Sequence, residues 1–248
     1  IAQGHDLILR EFFTQISDAF FPRICLACSR VLPSGRPAFF CSDCFRQITF
    51  LHGSLCPVCG ILFPDSSSEN HRCPSCMEHT HWFDFARAAV AYEGIIVDTI
   101  HRFKYGRDLT AGDALAALLA DFDFDGIDFS AFDAMIPVPL HIRRLRERRF
   151  NQSLVLARAL GKKHGIAVDF SLLKRRRFTL TQTGLDKCER DKNISGAFWA
   201  AHPKKIPGRS FLLVDDVYTT GATVNECAKT LVQAGAKRVA ALTAARVL

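Results

Sequence analysis

Phe211-Leu-Leu-Val-Asp215-Asp216-Val-Tyr-Thr219-Thr220-Gly221-Ala222-Thr223 decides how the larger part of this 248-residue chain is read. A run of large apolar residues bounded by turn signals predicts a buried strand over 211–214, and the apolar spacing that follows predicts a helix over 223–234. Between them stand two carboxylates and a turn rich in Thr and Gly. Backbone N–H groups and hydroxyls at a helix N-terminus form an anion site, and Gly221 lets the backbone approach closely. The two acids would repel a phosphate but can accept hydrogen bonds from vicinal hydroxyls. The ligand implied has a phosphate at one end and a diol at the other, as in ribose 5-phosphate. No GxxxxGK[ST] loop is present and no GxGxxG follows a strand. An Asp-Asp strand end also occurs in receiver domains, but near their start, whereas 32 residues follow Asp216 here.

Outward from this stretch, the pattern predicts strands over 88–92, 134–138, 167–173 and 239–243. Helices are predicted over 95–105, 115–122 and 151–164, and residues 178–196 are too polar to assign. Short apolar strands alternating with helices imply an α/β fold with a mainly parallel sheet covered on both faces.

The first third has a different texture. Cys25/Cys28, Cys41/Cys44, Cys56/Cys59 and Cys73/Cys76 are each C-x2-C, separated by 12, 11 and 13 residues. Two residues between thiolates form a knuckle that turns both sulfurs toward one metal, and a tetrahedral zinc needs two knuckles. Eight cysteines therefore suit two structural zinc sites. Sequential pairing of the knuckles closes the shortest loops and is preferred to a cross-braced arrangement. His71, His79 and His81 are close enough to substitute as ligands, but four thiolates per site suffice. Disulfides would need an oxidising compartment, and a thioredoxin-like motif needs one CxxC in a βαβ unit rather than four in a row. Cys188 and Cys227 fall outside the pattern and read as ordinary thiols.

Charge is unevenly spread. Residues 1–84 hold six Arg and no Lys against eight acids, while 141–192 hold fifteen Lys and Arg against five acids. That basic segment points to phosphates, on a small ligand or on nucleic acid, or else is a solvated face. Single-strand binders interleave aromatics with their charges, and 141–192 contain Phe150, Phe170 and Phe178. Ligand phosphates are therefore the better-supported reading.

Phe12, Phe13, Ile16, Ala19 and Phe20 line one face of an amphipathic helix ended by Pro22. No apolar run approaches the ~20 residues of a membrane span. Asp6, Arg10, Glu11 and Asp18 interrupt what a secretory signal would keep apolar, so a cytoplasmic protein is expected. The expected organisation is an N-terminal helix over 1–22, a double zinc module over 23–82 and the α/β domain over 83–248.

The 211–223 stretch resembles the motif by which type I phosphoribosyltransferases bind 5-phosphoribosyl-1-pyrophosphate (PRPP). From Cys25 onward the chain resembles the ComF/GntX family, a double zinc ribbon joined to such a domain. Other matching segments are His101-Arg-Phe-Lys104-Tyr105, Pro137-Val-Pro139, Arg148-Arg149-Phe150-Asn151-Gln152, and Gln182 through Arg190-Asp-Lys-Asn193 to Gly196-Ala-Phe198. The family usually reads R-G-F-N-Q, and Arg149 replaces that glycine.

The resemblance implies that Asp215 and Asp216 hold the ribose hydroxyls. Thr219, Thr220, Gly221, Ala222 and Thr223 would cradle the 5-phosphate. Arg144 and Arg148, after the Pro137-Val-Pro139 turn, would face pyrophosphate, with Mg²⁺ bridging pyrophosphate and ribose oxygens. The chemistry implied is displacement of pyrophosphate at the anomeric carbon. Asp215, Asp216, Arg176, Arg177 and Arg190 form the candidate catalytic set, the arginines by shielding the leaving group. The family link is to DNA uptake in competence. Two functions stay open: a pentosyltransferase whose acceptor the sequence does not name, and a non-catalytic accessory protein handling single-stranded DNA and using the PRPP site for regulation.

Overall fold

The computed structural model describes residues 22–33, 38–64, 70–179 and 193–248. The helix expected over 1–22 lies almost entirely outside them, as do Arg190 and Cys188.

The cysteine region is one unit built twice. In each copy the first knuckle closes a tight hairpin, marked by the antiparallel bridges Ile24–Val31 and Leu55–Leu62. The second knuckle opens a short helix, α1 (Ser42–Phe45) or α2 (Pro74–Glu78), with Cys41 or Cys73 in the extended N-cap position. Gly60 turns the second hairpin with φ +70°, and a Cβ there would strike the Ala86 carbonyl. Glycine is thus demanded both by a left-handed turn and by close approach to the neighbouring strand.

Four parallel strands form the main sheet: β1 (Ala86–Ala91), β2 (Ala134–Pro137), β5 (Ser210–Tyr218) and β6 (Arg238–Arg246), in the order β1-β6-β5-β2. Successive side chains of a strand face opposite sides, and here the alternation divides two cores. Leu212, Val214, Ala240 and Leu242 face one side and pack with Leu115, Leu119, Leu156 and Leu160. Phe211, Leu213, Val239 and Ala241 face the other and pack with Val224, Ala228 and Leu231. The first side is covered by α3 (Gly94–Tyr105), α4 (Leu109–Asp121) and α6 (Gln152–His164), the second by α7 (Ala222–Gln233). The first cysteine set joins the first core and the second set joins the other, so the zinc module straddles the sheet edge at β1. Backbone bonds seal that edge: Leu51 N to Ala89 O at 3.0 Å, Ala91 N to Thr49 O at 2.8 Å and Ala86 N to Val58 O at 2.7 Å.

Three expectations shift. The helix placed over 115–122 begins earlier, because Asp108 caps it by accepting from Ala111 N at 3.1 Å. The strand expected over 167–173 makes a single bridge, Val168 to Met135. The Asp169 carboxylate there accepts from Ser171 N and Oγ at 2.8 and 2.6 Å. That turn ends the pairing, and β3 (Leu173–Arg175) instead pairs with β4 (Phe198–Ala200) in a separate antiparallel ribbon. A short helix, α5 (Ile142–Arg148), also forms where no apolar period announces one. His141 Nδ1 caps it by accepting from Arg143 N at 3.2 Å.

Candidate functional site

The eight thiols fall into two sets, Cys25/Cys28/Cys41/Cys44 and Cys56/Cys59/Cys73/Cys76, with the sulfurs of each set within 4.8 Å of one another. Sequential pairing is therefore the observed topology. A tetrahedron with sulfurs at about 2.3 Å from zinc has edges of roughly 3.8 Å. Cys28–Cys41 and Cys59–Cys73 stand at 3.7 and 3.6 Å. Backbone N–H groups of Cys41 and Cys73 point at Cys25 and Cys56 sulfurs at 3.3 and 3.4 Å, which stabilises thiolates. His81 stays outside its set, with Nε2 3.4 Å from Cys76 Sγ. The chemistry of the donors and their spacing fit two structural zinc ions.

The second site is a cleft of about 530 Å³ at the C-terminal ends of β2, β5 and β6. Parallel sheets bind ligands at this edge, where strands hand over to helices. The floor comes from Asp215 and Asp216, which lie inside β5 because the strand expected over 211–214 stays paired with β6 as far as Tyr218, and one wall from residues 219–221 with Thr223, leading into α7. Gly221, at φ +82°, is the N-cap of α7, and a Cβ there would run into the Tyr218 ring. The opposite wall carries His141, Arg144, Arg148 and Arg175.

Three side chains that the sequence did not single out for a role settle the acid pair. Lys104, from the last turn of α3, reaches Asp216 Oδ1 at 2.9 Å. Ser153 Oγ donates to Asp215 Oδ1 at 2.8 Å, and the Asp216 N–H donates to the same oxygen at 2.9 Å. Asn151 caps α6 by accepting from Ser153 N at 3.1 Å, while its Nδ2 holds the Val138 carbonyl at 3.0 Å. One residue thus aims Ser153 at the acids and pins the turn after β2. Burial, then the neighbouring Asp216 charge, push Asp215 up to about 7, against the opposing pull of Ser153 and Lys104. Lys104 is held above its ordinary value: burial works against its charge, but the Asp216 carboxylate outweighs it.

The arginines separate by position. Arg148 Nη1 donates to Gln152 Oε1 at 3.1 Å and its guanidinium lies over Tyr105 at 5.3 Å. Arg144 faces the Phe178 ring at 5.6 Å. Arg175, which sequence reading passed over, lines the cleft beside Thr179, and its Nε is buried without a hydrogen-bond partner. Arg176 and Arg177 point elsewhere. They are exposed and tie down the chain at 193–196 through Gly196 O at 3.4 Å and through Asn193 O and Ser195 O at 2.8 and 2.6 Å. Strand alternation is the signal that could have distinguished them: Arg175 follows the buried Leu173 on the inward side. Cys227 is fully buried in α7, consistent with an ordinary thiol.

A model of the double zinc ribbon domain matches residues 16–79. Among curated proteins, the chain is 31% identical to "DNA utilization protein YhgH" of Escherichia coli K12 over 88% of its own length and 94% of that protein. It is 30% identical to "Competence protein F" of Haemophilus influenzae over 89% and 95%, and 27% identical to "Competence protein ComFC" of Bacillus subtilis over 79% and 78%. Among solved structures, a glutamine PRPP amidotransferase from B. subtilis superposes on 52% of this chain and 25% of its own, at 17% identity and a TM-score of 0.34. That likeness is too slight to bear on the site. The full-length relatives and the cysteine topology carry the assignment. The chain belongs to the ComF/GntX family, with a double zinc ribbon ahead of an α/β domain built on a parallel sheet.

Proposed function

We propose that this protein binds PRPP, together with Mg²⁺, in the 530 Å³ cleft and serves DNA uptake, as the names of its relatives suggest. One observation carries the reading. Hydroxyl acceptors at Asp215–Asp216, N–H and hydroxyl donors at 219–223, and guanidinium groups at Arg144, Arg148 and Arg175 all open onto a single cavity. Their chemistry matches, in turn, a ribose diol, a 5-phosphate and a pyrophosphate. Bound Mg²⁺ would neutralise pyrophosphate oxygens. Ser153 keeps Asp215 oriented, and Lys104 supplies a movable positive charge beside the diol. If the protein is a transferase, these groups stabilise departing pyrophosphate while an acceptor attacks the anomeric carbon. Isothermal titration with PRPP and Mg²⁺, followed by pyrophosphate-release assays over candidate bases and amines, tests the proposal. Absence of binding by the intact zinc-loaded chain would overturn it.

A second reading rests on the outer face of α5. Arg143, Arg146 and Arg149 are exposed there, and Arg143 lies 4.8 Å over the Phe178 ring. Basic side chains beside an aromatic face suit single-stranded nucleic acid. Replacing Arg143 and Arg146 together should lower the slope of log affinity against log salt by roughly 0.7 per lost phosphate contact. An unchanged slope would leave that face to solvation.

A further inference from the structure

We propose that Arg246 is a positioning residue that couples the second cysteine set to the phosphate-binding loop, so that order at residues 218–223 depends on the metal state of Cys56/Cys59/Cys73/Cys76. The inference rests on the PRPP reading only for the meaning of the loop. The coupling itself comes from packing.

Arg246 ends β6 and is 6% exposed. A buried guanidinium needs a counter-charge, yet among the described residues no carboxylate pairs with it. Its partners belong to the zinc ribbon: Nη1 donates to the Cys59 carbonyl, and Nη2 lies 3.5 Å from Cys59 Sγ. A four-thiolate zinc site is a net dianion, so the cluster supplies the charge that holds Arg246 in the interior. On its other side the guanidinium lies 4.6 Å over the Tyr218 ring.

Tyr218 is 3% exposed and closes β5 at the point where the loop begins. Its ring fills the space beside Gly221, and Gly221 O receives the Asn225 N–H at 2.8 Å in the first turn of α7. A second strand of contacts runs parallel. Phe83, just after the ribbon, meets the Tyr218 ring edge-on at 6.5 Å, and Trp82 N donates to Asn225 Oδ1 at 2.7 Å. From cluster to anion site the path is therefore Cys59, Arg246, Tyr218, Gly221. If the set loses its metal, the Cys59 carbonyl and sulfur that hold Arg246 are no longer fixed in place, and the Tyr218 ring loses the flat cation that packs it against the loop.

The test uses the full zinc-loaded chain and three readouts. In ligand-free Arg246→Met, one of two zinc ions should be held about 10–100-fold more weakly against a competing chelator than in the parent, the usual effect of removing an outer partner of a metal ligand. Amide exchange should rise in peptides covering 217–226 and not in those covering 94–121. PRPP affinity should fall about tenfold, and by reciprocity PRPP should raise the parent's equilibrium affinity for that zinc by the same factor by which that zinc raises the affinity for PRPP. Tyr218→Leu leaves Arg246 with Cys59 but removes the ring between Arg246 and Gly221. It should keep zinc as tightly as the parent while loosening 217–226, and it decides the matter if Arg246→Met does not fold. Unchanged exchange at 217–226 in both variants, or a rise spread evenly over the sheet, would overturn the coupling. A parent chain that fails to bind PRPP would overturn the proposed ligand and leave the zinc-affinity and exchange comparisons standing.

Discussion

Residues 25–76 and the cleft each assemble charged or reactive groups in the protein interior, but they neutralise them differently. In the ribbon, eight thiols converge in two sets whose geometry fits a shared metal. Leu32, Phe40, Ile48 and Phe83 pack beside them, and the knuckles are joined to one another through the metal, so the ligand is part of what makes the segment fold. In the cleft, the sheet and helices are held by two apolar cores, and the acid pair is an added burden on a fold that stands without a ligand. Lys104 and Ser153 hold that burden in check while the site waits. The ribbon needs its ligand for structure; the cleft needs one for relief.

Metal removal breaks the comparison hardest. Structural zinc in small modules is worth about 10–16 kcal/mol near neutral pH, so chelation should unfold residues 23–82 cooperatively. Proteolysis and far-UV circular dichroism of freshly prepared, reduced protein check this, with metal analysis expected to give two equivalents per chain. Under one equivalent would remove the premise. Loss of PRPP, by contrast, should leave the dichroism spectrum unchanged.

Removing acceptor charge from the cleft is the next largest effect. Asp215→Asn with Asp216→Asn keeps shape but forfeits charge-assisted bonds of about 1.5–3 kcal/mol each. PRPP affinity should drop roughly 10–100-fold per site in titration calorimetry. Thr223→Val should lose less, because backbone N–H groups still meet the phosphate. An unchanged affinity in the folded double variant would reduce the acid pair to a structural turn.

Asp215 sharpens the contrast through pH. Its folded value near 7 lies above the ordinary 3.8 of a free carboxyl, so the folded state favours the protonated form. Its stability contribution is fully present below about pH 4 and is lost as pH rises through about 7. Asp215→Asn should therefore raise the melting temperature of the ligand-free protein at pH 8, with the gain shrinking at pH 5.5. PRPP affinity of the parent should move the opposite way, rising through pH 7 as the carboxylate forms.

The smallest expected effect concerns Arg149. It caps α5 at φ +68°, in the left-handed region where an L side chain is strained by roughly 1–2 kcal/mol. Glycine adopts that conformation without a Cβ penalty, and Arg149→Gly should stabilise the chain by about 1 kcal/mol or less, since glycine also loses more freedom on folding. Thermal denaturation checks this, and a fall in stability would mean that the exposed guanidinium makes up for its backbone.

What could be read from the chain follows from sequence distance. Each knuckle, and the run from Asp215 to Thr223, packs its chemistry into a few consecutive residues, so spacing alone exposes it. Lys104 and Ser153 meet the acid pair from α3 and α6, and Arg175 lines the same cleft from the β3 ribbon; only the tertiary fold brings those elements together. Lys104 and Asn151 lie inside segments that resemble the family's, but nothing local says that one pairs with Asp216 or that the other aims Ser153. Arg176 and Arg177 illustrate the converse. Their charge was legible, while the direction of each side chain depended on a two-stranded ribbon that residues 178–196 gave no pattern to predict.

The backbone bonds from residues 49–51 and 58 onto β1 have a consequence for how the protein behaves in a crowded solution. An open parallel sheet ends in a row of unpaired N–H and C=O groups, a template for any extended chain that meets it. Here that row is occupied by a segment whose own shape depends on zinc. Chelated protein should keep most of its sheet and yet become sticky, recruiting copies of itself through β1 and forming light-scattering assemblies at a rate that climbs with concentration. Zinc supply would then govern how long the chain remains dispersed, well before any question of activity arises.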